Sequence, residues 1–374
     1  MHEREAKMNG RNIICRRKIT GAHKCCRLLL GRSVRAAVGL AVAAALFVCA
    51  CGKKQPALPD KALVGVAYYN KSDTFLNQLI DCLSEQLDAL DSPEITLTIR
   101  DAAGSQRTQD DQVKELLDAG CKVLCVNLAD RADPSEIIDL ARERQVPIIF
   151  FNREPVAEDM MQWDQLYYVG ADAEQSGVMQ GELAADAIRS DSSIDRNKDG
   201  KIQYVVLEGE AGHQDAIIRT EYAVNTLKDN GIALERLSCG IANWSRAQAQ
   251  NRMLQMISQH QNQIELVLAN NDDMALGAID AYKKLNVTES AVPVFFGIDG
   301  TDVGLKAVAD QQLAATVYND KEGQAAAMAK LTAKLVTKKG LGDLELENGK
   351  YIYLSYFKVT DNNVGMFYKD DSYH

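Results

Sequence analysis

The strongest constraint on this chain is a rhythm. Short, continuous apolar runs recur at Ala62–Tyr69, Glu94–Ile99, Cys121–Val126, Val146–Phe151, Ile202–Leu207, Ile264–Ala269, Val292–Ile298 and Leu313–Val317. Most of these runs, Glu94–Ile99 apart, lack the polar alternation of a half-solvated strand, so both of their faces must be covered. That is the condition of a parallel strand flanked by helices. The intervening stretches have the matching helical period: Leu76, Leu79, Ile80, Leu83, Leu87 and Leu90 follow the three-and-four spacing of one buried face. About 300 residues of this pattern exceed what one sheet and its core hold. The expected architecture is therefore α/β, with two doubly wound parallel-sheet lobes.

Charge divides the chain further. Ten of its 42 Lys and Arg residues, but only Glu3 and Glu5 of its 52 Asp and Glu, fall in the first fifty positions. The formal charge of −10 thus joins a basic leader to a strongly acidic remainder. An acidic body argues against a nucleic-acid partner, and 46% hydrophobic residues argue against disorder. Ala36 to Val48 carry no charge, yet a helix of that length spans ~20 Å against a ~30 Å hydrocarbon core. Basic residues, a short apolar stretch and small residues after it read as an export signal over residues 1–50. Its end, Val48-Cys49-Ala50-Cys51, resembles the bacterial lipobox. Cys51 is then the lipidated residue, residues 51–61 are a tether, and the protein is expected on the outer face of the cytoplasmic membrane or in the periplasm. Of the other cysteines, Cys121 and Cys125 lie four apart on one strand, ~13 Å, beyond the ~7 Å a disulfide tolerates. They are expected as small buried hydrophobes.

Parallel α/β sheets bind ligands beyond the carboxyl ends of their strands. Here those ends carry Asp73, Asn127, Asn152, His213, Asp215, Asn271, Asp299 and Asn319. One such residue is ordinary turn chemistry, but so many describe a polar crevice. No Gly-x-Gly-x-x-Gly follows the first strand, and neither a phosphate loop nor a Gly-x-Ser-x-Gly elbow appears. His213 near Asp215 is a hydrogen-bonding pair before it is an acid–base pair. Separately, Asp195-Arg196-Asn197-Lys198-Asp199-Gly200-Lys201-Ile202-Gln203 matches the front of a calcium loop. Oxygen donors fall at positions 1, 3, 5 and 9, Gly200 makes the turn, and Lys201 offers its carbonyl at position 7. Position 12 is Val206, so the bidentate acid must come from elsewhere. Glu265 qualifies if its strand lies beside Ile202–Leu207.

Ser72-Asp73-Thr74-Phe75, Phe151-Asn152-Arg153-Glu154-Pro155, Gly212-His213-Gln214-Asp215 with Arg219, Ala269-Asn270-Asn271-Asp272, Phe296-Gly297-Ile298-Asp299 and Thr316-Val317-Tyr318-Asn319-Asp320 carry a resemblance, as does the calcium loop. They resemble the D-galactose/D-glucose-binding members of the periplasmic binding protein family, in order and at similar spacing over residues 62–365. The resemblance implies a type I fold of two lobes joined by three hinge crossovers, near Arg144–Pro147, Tyr318–Asp320 and Leu354–Phe357. The lobes would be residues 62–145 with 320–354, and 146–319 with 355–374. It implies sugar contacts at Asp73, Phe75, Asn127, His213, Asp215, Arg219, Trp244, Asn271, Asp299 and Asn319, with Phe75 and Trp244 against the two faces of a pyranose. It also implies structural Ca2+ held by Asp195, Asn197, Asp199, Lys201, Gln203 and Glu265. The function implied is capture of D-galactose, D-glucose or a galactoside by a monomer, which delivers it to a membrane ABC permease. A lipoprotein that reports the sugar to a chemoreceptor or membrane kinase would share this binding chemistry. A sugar-responsive transcription regulator would need a basic helix-turn-helix in place of an export signal, and a glycosidase a carboxylate pair about a scissile bond. The chain is read as a binding protein, not an enzyme.

Overall fold

The computed structural model describes residues 61–90 and 94–368. The export segment and Cys51 lie outside these residues. Two six-stranded sheets organise the rest. The first has the order β11-β5-β4-β3-β1-β2, built from β1 (Lys61–Tyr68), β2 (Glu94–Asp101), β3 (Val123–Val126), β4 (Ile148–Phe151), β5 (Leu166–Ala171) and β11 (Tyr351–Leu354). Its strands all run parallel. The second has the order β12-β10-β9-β8-β6-β7, built from β6 (Ile202–Glu208), β7 (Leu234–Ile241), β8 (Leu266–Ala269), β9 (Val294–Phe296), β10 (Ala315–Asn319) and β12 (Tyr356–Thr360). Only its edge strand β12 is antiparallel to its neighbour. The two lobes thus repeat one doubly wound topology, as the apolar rhythm predicts.

Continuous apolar strands arise because each sheet is covered on both faces. Along β4, Ile148 and Phe150 enter one core while Ile149 and Phe151 enter the other. Helix α1 (Thr74–Asp88) buries Phe75, Leu76, Leu79, Ile80, Leu83 and Leu87 against the second of these cores. The carboxylate of Asp73 caps it by accepting from the Leu76 N–H at 3.0 Å. Cys121 and Cys125 are buried and unpaired, as expected. Burial pushes their thiols up, to about 11 and about 12.

The chain crosses between lobes three times, but the first crossing is not at Arg144–Pro147. Strand β4 pairs with β3 and β5 pairs with β4, so both stay in the first sheet. The helix after β5, α5 (Ala173–Ser190), places Leu183, Ala184 and Ala185 in the core of the second lobe. The first crossing is therefore at residues 171–173. Strand β5 extends the first sheet, so the chain stays in the first lobe one strand longer than the resemblance implies. For the other two crossings, α10 (Lys321–Thr337) returns after β10 to pack on the first lobe, and residue 355 separates β11 from β12. The first lobe comprises residues 61–171 and 321–354, and the second 173–319 and 356–368.

Candidate functional site

Doubly wound sheets open a crevice where strand order reverses, here beyond β1 and β3 in one lobe and beyond β6 and β8 in the other. The two crevices face each other. Between them lies a small cavity. Its wall contains Asp73, Phe75, His213, Asp215, Arg219, Trp244, Asn271 and Asp299, eight of the ten expected positions. Tyr69, Asn152 and Arg153 complete it.

Neither Asn127 nor Asn319 forms part of this wall. Asn127 is fully buried beneath it, where its Nδ2 donates to Asn152 Oδ1 at 3.0 Å and to the Phe151 carbonyl at 3.1 Å. It orients Asn152, which reaches the cavity in its place. Asn319 gives its Oδ1 to Gln324 Nε2 at 2.6 Å and its backbone N–H to the Asp299 carbonyl at 3.0 Å. Both residues support their neighbours. Sequence reasoning also missed Tyr69 and Arg153. The Tyr69 hydroxyl donates to Asp73 at 2.7 Å, and the Arg153 guanidinium lies 3.6 Å from the Tyr69 ring centre. Arg153 also pairs with Glu210 of the other lobe at 3.0 Å. The signal was present in Phe151-Asn152-Arg153, but an arginine at a strand end reads as a solvated charge until its tyrosine partner is placed beside it.

Helix starts aim most of the other groups. His213 caps α6 (Gln214–Asp229), its Nδ1 accepting from the Asp215 N–H at 3.2 Å. Neutral imidazole with Nδ1 as acceptor carries its proton on Nε2, which can donate to a ligand. Burial, with Arg153, Arg219 and Arg131 nearby, pushes His213 down to about 2 and keeps it neutral. Asn271 caps α8 (Asp272–Lys284) by accepting from the Met274 N–H at 2.9 Å, and its Nδ2 reaches the Trp244 carbonyl at 3.4 Å. Trp244 sits in a turn where it and Asn243 both have positive φ, 60° and 50°. Its indole lies so close to Gly209 that a Cβ there would fall 2.1 Å from the ring. Phe75 and Trp244 supply the aromatic surface.

Arg219 is the electrostatic centre, with its side chain 4% exposed. Its Nη1 donates to the Asn270 carbonyl at 2.7 Å and to Asp299 at 3.3 Å, and its Nη2 to the Tyr356 hydroxyl at 3.1 Å. Its Nε is buried without a partner. Burial opposes its charge, but Tyr356, Asp299 and Asp215 outweigh that and raise its pKa above the ordinary value. Burial likewise raises the carboxyls of Asp215 and Asp299, against the pull of Arg219. The wall thus holds donors and acceptors that face inward, together with two aromatic faces. It suits a small, neutral, hydroxyl-rich ring.

At the opposite ends of β6 and β8 lie the residues of the loop 195–203 and Glu265. Tyr204 pairs with Leu266, which brings Glu265 beside Gln203. The two Glu265 oxygens accept from the N–H groups of Arg196, at 2.7 Å, and of Gln203, at 3.0 Å. The Asn197, Asp199 and Gln203 side chains meet within 3.2 Å of one another. Asp195 accepts from the Asp199 and Gly200 N–H groups. Among the described residues no three His, Cys, Asp or Glu side chains cluster at metal-binding range. The loop instead mixes carboxylates with two amides, an all-oxygen donor set that fits a hard cation.

A profile of the periplasmic binding protein domain matches residues 64–340. The chain is 34% identical over 327 residues to the D-galactose/methyl-galactoside binding periplasmic protein MglB of Haemophilus influenzae, covering 86% of this chain and 97% of that one. It is 27% identical over 261 residues to the ribose import binding protein RbsB of Salmonella typhimurium, covering 69% and 79%. Among solved structures, an ABC transporter solute binding protein from Bacillus halodurans with bound myo-inositol superimposes with a TM-score of 0.69. That pair is 26% identical and covers 84% of this chain and 99% of the other. A two-lobed fold with a polar inter-lobe cavity, a domain match over most of the chain and a relative matched nearly end to end lead to one assignment: this chain belongs to the periplasmic binding protein family, exported solute-binding proteins and not enzymes.

Proposed function

We propose that the mature protein captures D-galactose or D-glucose, free or as a simple galactoside, and delivers it to the membrane permease of an ABC importer. One observation carries the reading: eight residues expected to contact sugar converge on a single inter-lobe cavity, where a buried Arg219 Nε lacks a partner. A ring hydroxyl there would supply the missing acceptor. The Haemophilus influenzae relative, a D-galactose/methyl-galactoside binding protein, supports a galactose-type ligand. The test is calorimetric titration with D-galactose, D-glucose, methyl galactoside, D-ribose and myo-inositol. The expected result is tight binding of the galactose and glucose types, with Asp73→Ala losing ~2–3 kcal/mol through unpaired hydroxyls. Preference for ribose or inositol with no response to either hexose would overturn it. The same reading includes structural calcium at Asp195, Asn197, Asp199, the Lys201 carbonyl, Gln203 and Glu265. A bound cation there would neutralise the facing carboxylates, while Arg196, donating to the Ile264 carbonyl, fixes the loop against the strand bearing Glu265. It also includes a lipid on Cys51 that holds a monomer outside the membrane, testable by incorporation of labelled fatty acid into wild type and not into Cys51→Ser.

A further inference from the structure

Behind the cavity lies a carboxylate that touches no ligand position. Asp272 is the first residue of α8 and is fully buried. Its Oδ1 accepts from the Thr316 hydroxyl at 2.6 Å. Its Oδ2 accepts from the Thr301 N–H at 2.8 Å and the Thr301 hydroxyl at 3.1 Å. Its own N–H donates to the Ile298 carbonyl at 2.8 Å. One side chain therefore ties together the turn after β8, the turn after β9 and strand β10. These segments carry Asn271 and Asp299. The space is shaped for it: a Cβ on Gly297 would fall 2.3 Å from Oδ1, and one on Gly304 would fall 2.1 Å from Oδ2. Both glycines form a notch that only the carboxylate fills.

The turn it holds is strained. Asp299 has φ of 105°, a region costly for a residue with a Cβ. Such a backbone persists only where its surroundings over-determine it. Here the Asp299 N–H donates to the Val317 carbonyl, the Asp299 carbonyl accepts from Asn319, and two residues later Thr301 is fastened by Asp272. We infer that Asp272 is a positioning residue for ligand binding, which holds the strained Asp299 turn in the conformation that aims the Asp299 carboxylate into the cavity. This inference rests on the proposed sugar site for its binding readout but not for its backbone readout.

The isosteric Asp272→Asn keeps the volume but presents an acceptor on one side only, so either the Thr301 N–H loses its partner or the Thr316 hydroxyl must turn from donor to acceptor. Amide hydrogen exchange of the sugar-free protein is followed over residues 297–301 in wild type, Asp272→Asn and Thr316→Val. Faster exchange there, with α1 unchanged, is expected, and unchanged exchange overturns the inference. In the second arm, affinity for whichever hexose, pentose or inositol binds wild type most tightly is measured in a double-mutant cycle with Asp299→Ala. Asp272→Asn is expected to weaken binding on the order of ten-fold alone and to have little further effect once Asp299 is truncated. Additive losses would mean a merely structural role and reject it. If Asp272→Asn does not fold, Thr316→Val carries both arms. If wild type binds nothing in the panel, the proposed function fails while the exchange arm still decides this inference.

Discussion

Each polar side chain of the cavity divides its hydrogen bonds between the protein and the space it faces. Asp73 gives one oxygen to the start of its helix and the other to Tyr69, His213 gives Nδ1 to Asp215, and Asn271 gives Oδ1 to Met274. These bonds fix rotamers in advance, so little side-chain entropy is lost when a ligand arrives. They also create pH dependence. His213 is held near 2 in the folded state against ~6.5 unfolded. A base with a depressed folded pKa contributes stability in full above ~6.5 and loses it as pH falls toward 2. Burial pushes Asp272 up to about 7, and its contribution has the opposite sign, full below ~3.8 and lost as pH rises to about 7. His213→Gln should therefore narrow the stability difference between pH 7.5 and pH 4.5, read from denaturant midpoints. An unchanged difference would show that His213 does not set the acid limb. The sequence marked strand ends but not which of two neighbouring asparagines, Asn127 or Asn152, reaches the cleft. That depends on Asn152 adopting φ of 59°, a tertiary outcome that residue type alone does not specify.

At the scale of elements, legibility followed burial. Strands covered on both faces, such as β1, β4 and β8, stood out because nearly every residue along them is apolar. Strand β7 and the edge strand β12 did not, since Leu234–Ile241 and Tyr356–Thr360 are largely half-exposed and alternate with polar residues. Strand β5, Leu166–Ala171, is buried nearly throughout, and its place in the first sheet sets the first hinge beyond it. The proposed calcium loop differs in that most of its candidate donors are local. The remote candidate, Glu265, is brought beside the loop by the pairing of β6 with β8. Glu265 is 2% exposed and accepts from backbone N–H groups on both sides of the loop's end. Removing its charge while keeping its shape should weaken a bound cation more than it disturbs the strand. Glu265→Gln is expected to lose ~2–3 kcal/mol of calcium-linked stability at saturating calcium, with sugar affinity little changed because the loop lies at the opposite strand ends. Equal melting temperatures of wild type with calcium and with chelator would reject the assignment.

At the scale of the whole molecule, the question is what makes closing dependent on ligand. Away from the crossings, Thr74 bonds to Asp273 at 2.5 Å and Arg153 to Glu210 at 3.0 Å across the cleft, while beside one crossing Lys321 pairs with Asp302 and Gln324 with Asn319. Trp244, on the second lobe, packs against the hydrophobic cores of both. Opposing these, closure strips water from Asp215 and Asp299, whose carboxyls are raised by burial, and leaves Arg219 Nε without an acceptor. An unsatisfied buried polar group costs ~1–3 kcal/mol, comparable to what two partly exposed polar contacts return. Without ligand the two terms nearly cancel, so open and closed forms should both be populated. A polyhydroxylated ring that satisfies the inward-facing groups removes the opposing term and shifts the population toward closure. The three crossings, at residues 171–173, 319–321 and 354–356, let the lobes rotate as rigid bodies because each is only a few residues long and neither sheet is continuous across them. Small-angle scattering should therefore show a smaller radius of gyration at saturating galactose than without it. Glu210→Ala should shift the sugar-free radius upward, toward the open form, while leaving the saturated radius close to that of wild type. A radius that does not respond to saturating sugar would mean that the lobes do not close on their ligand, and the coupling between cavity chemistry and hinge would be lost with it.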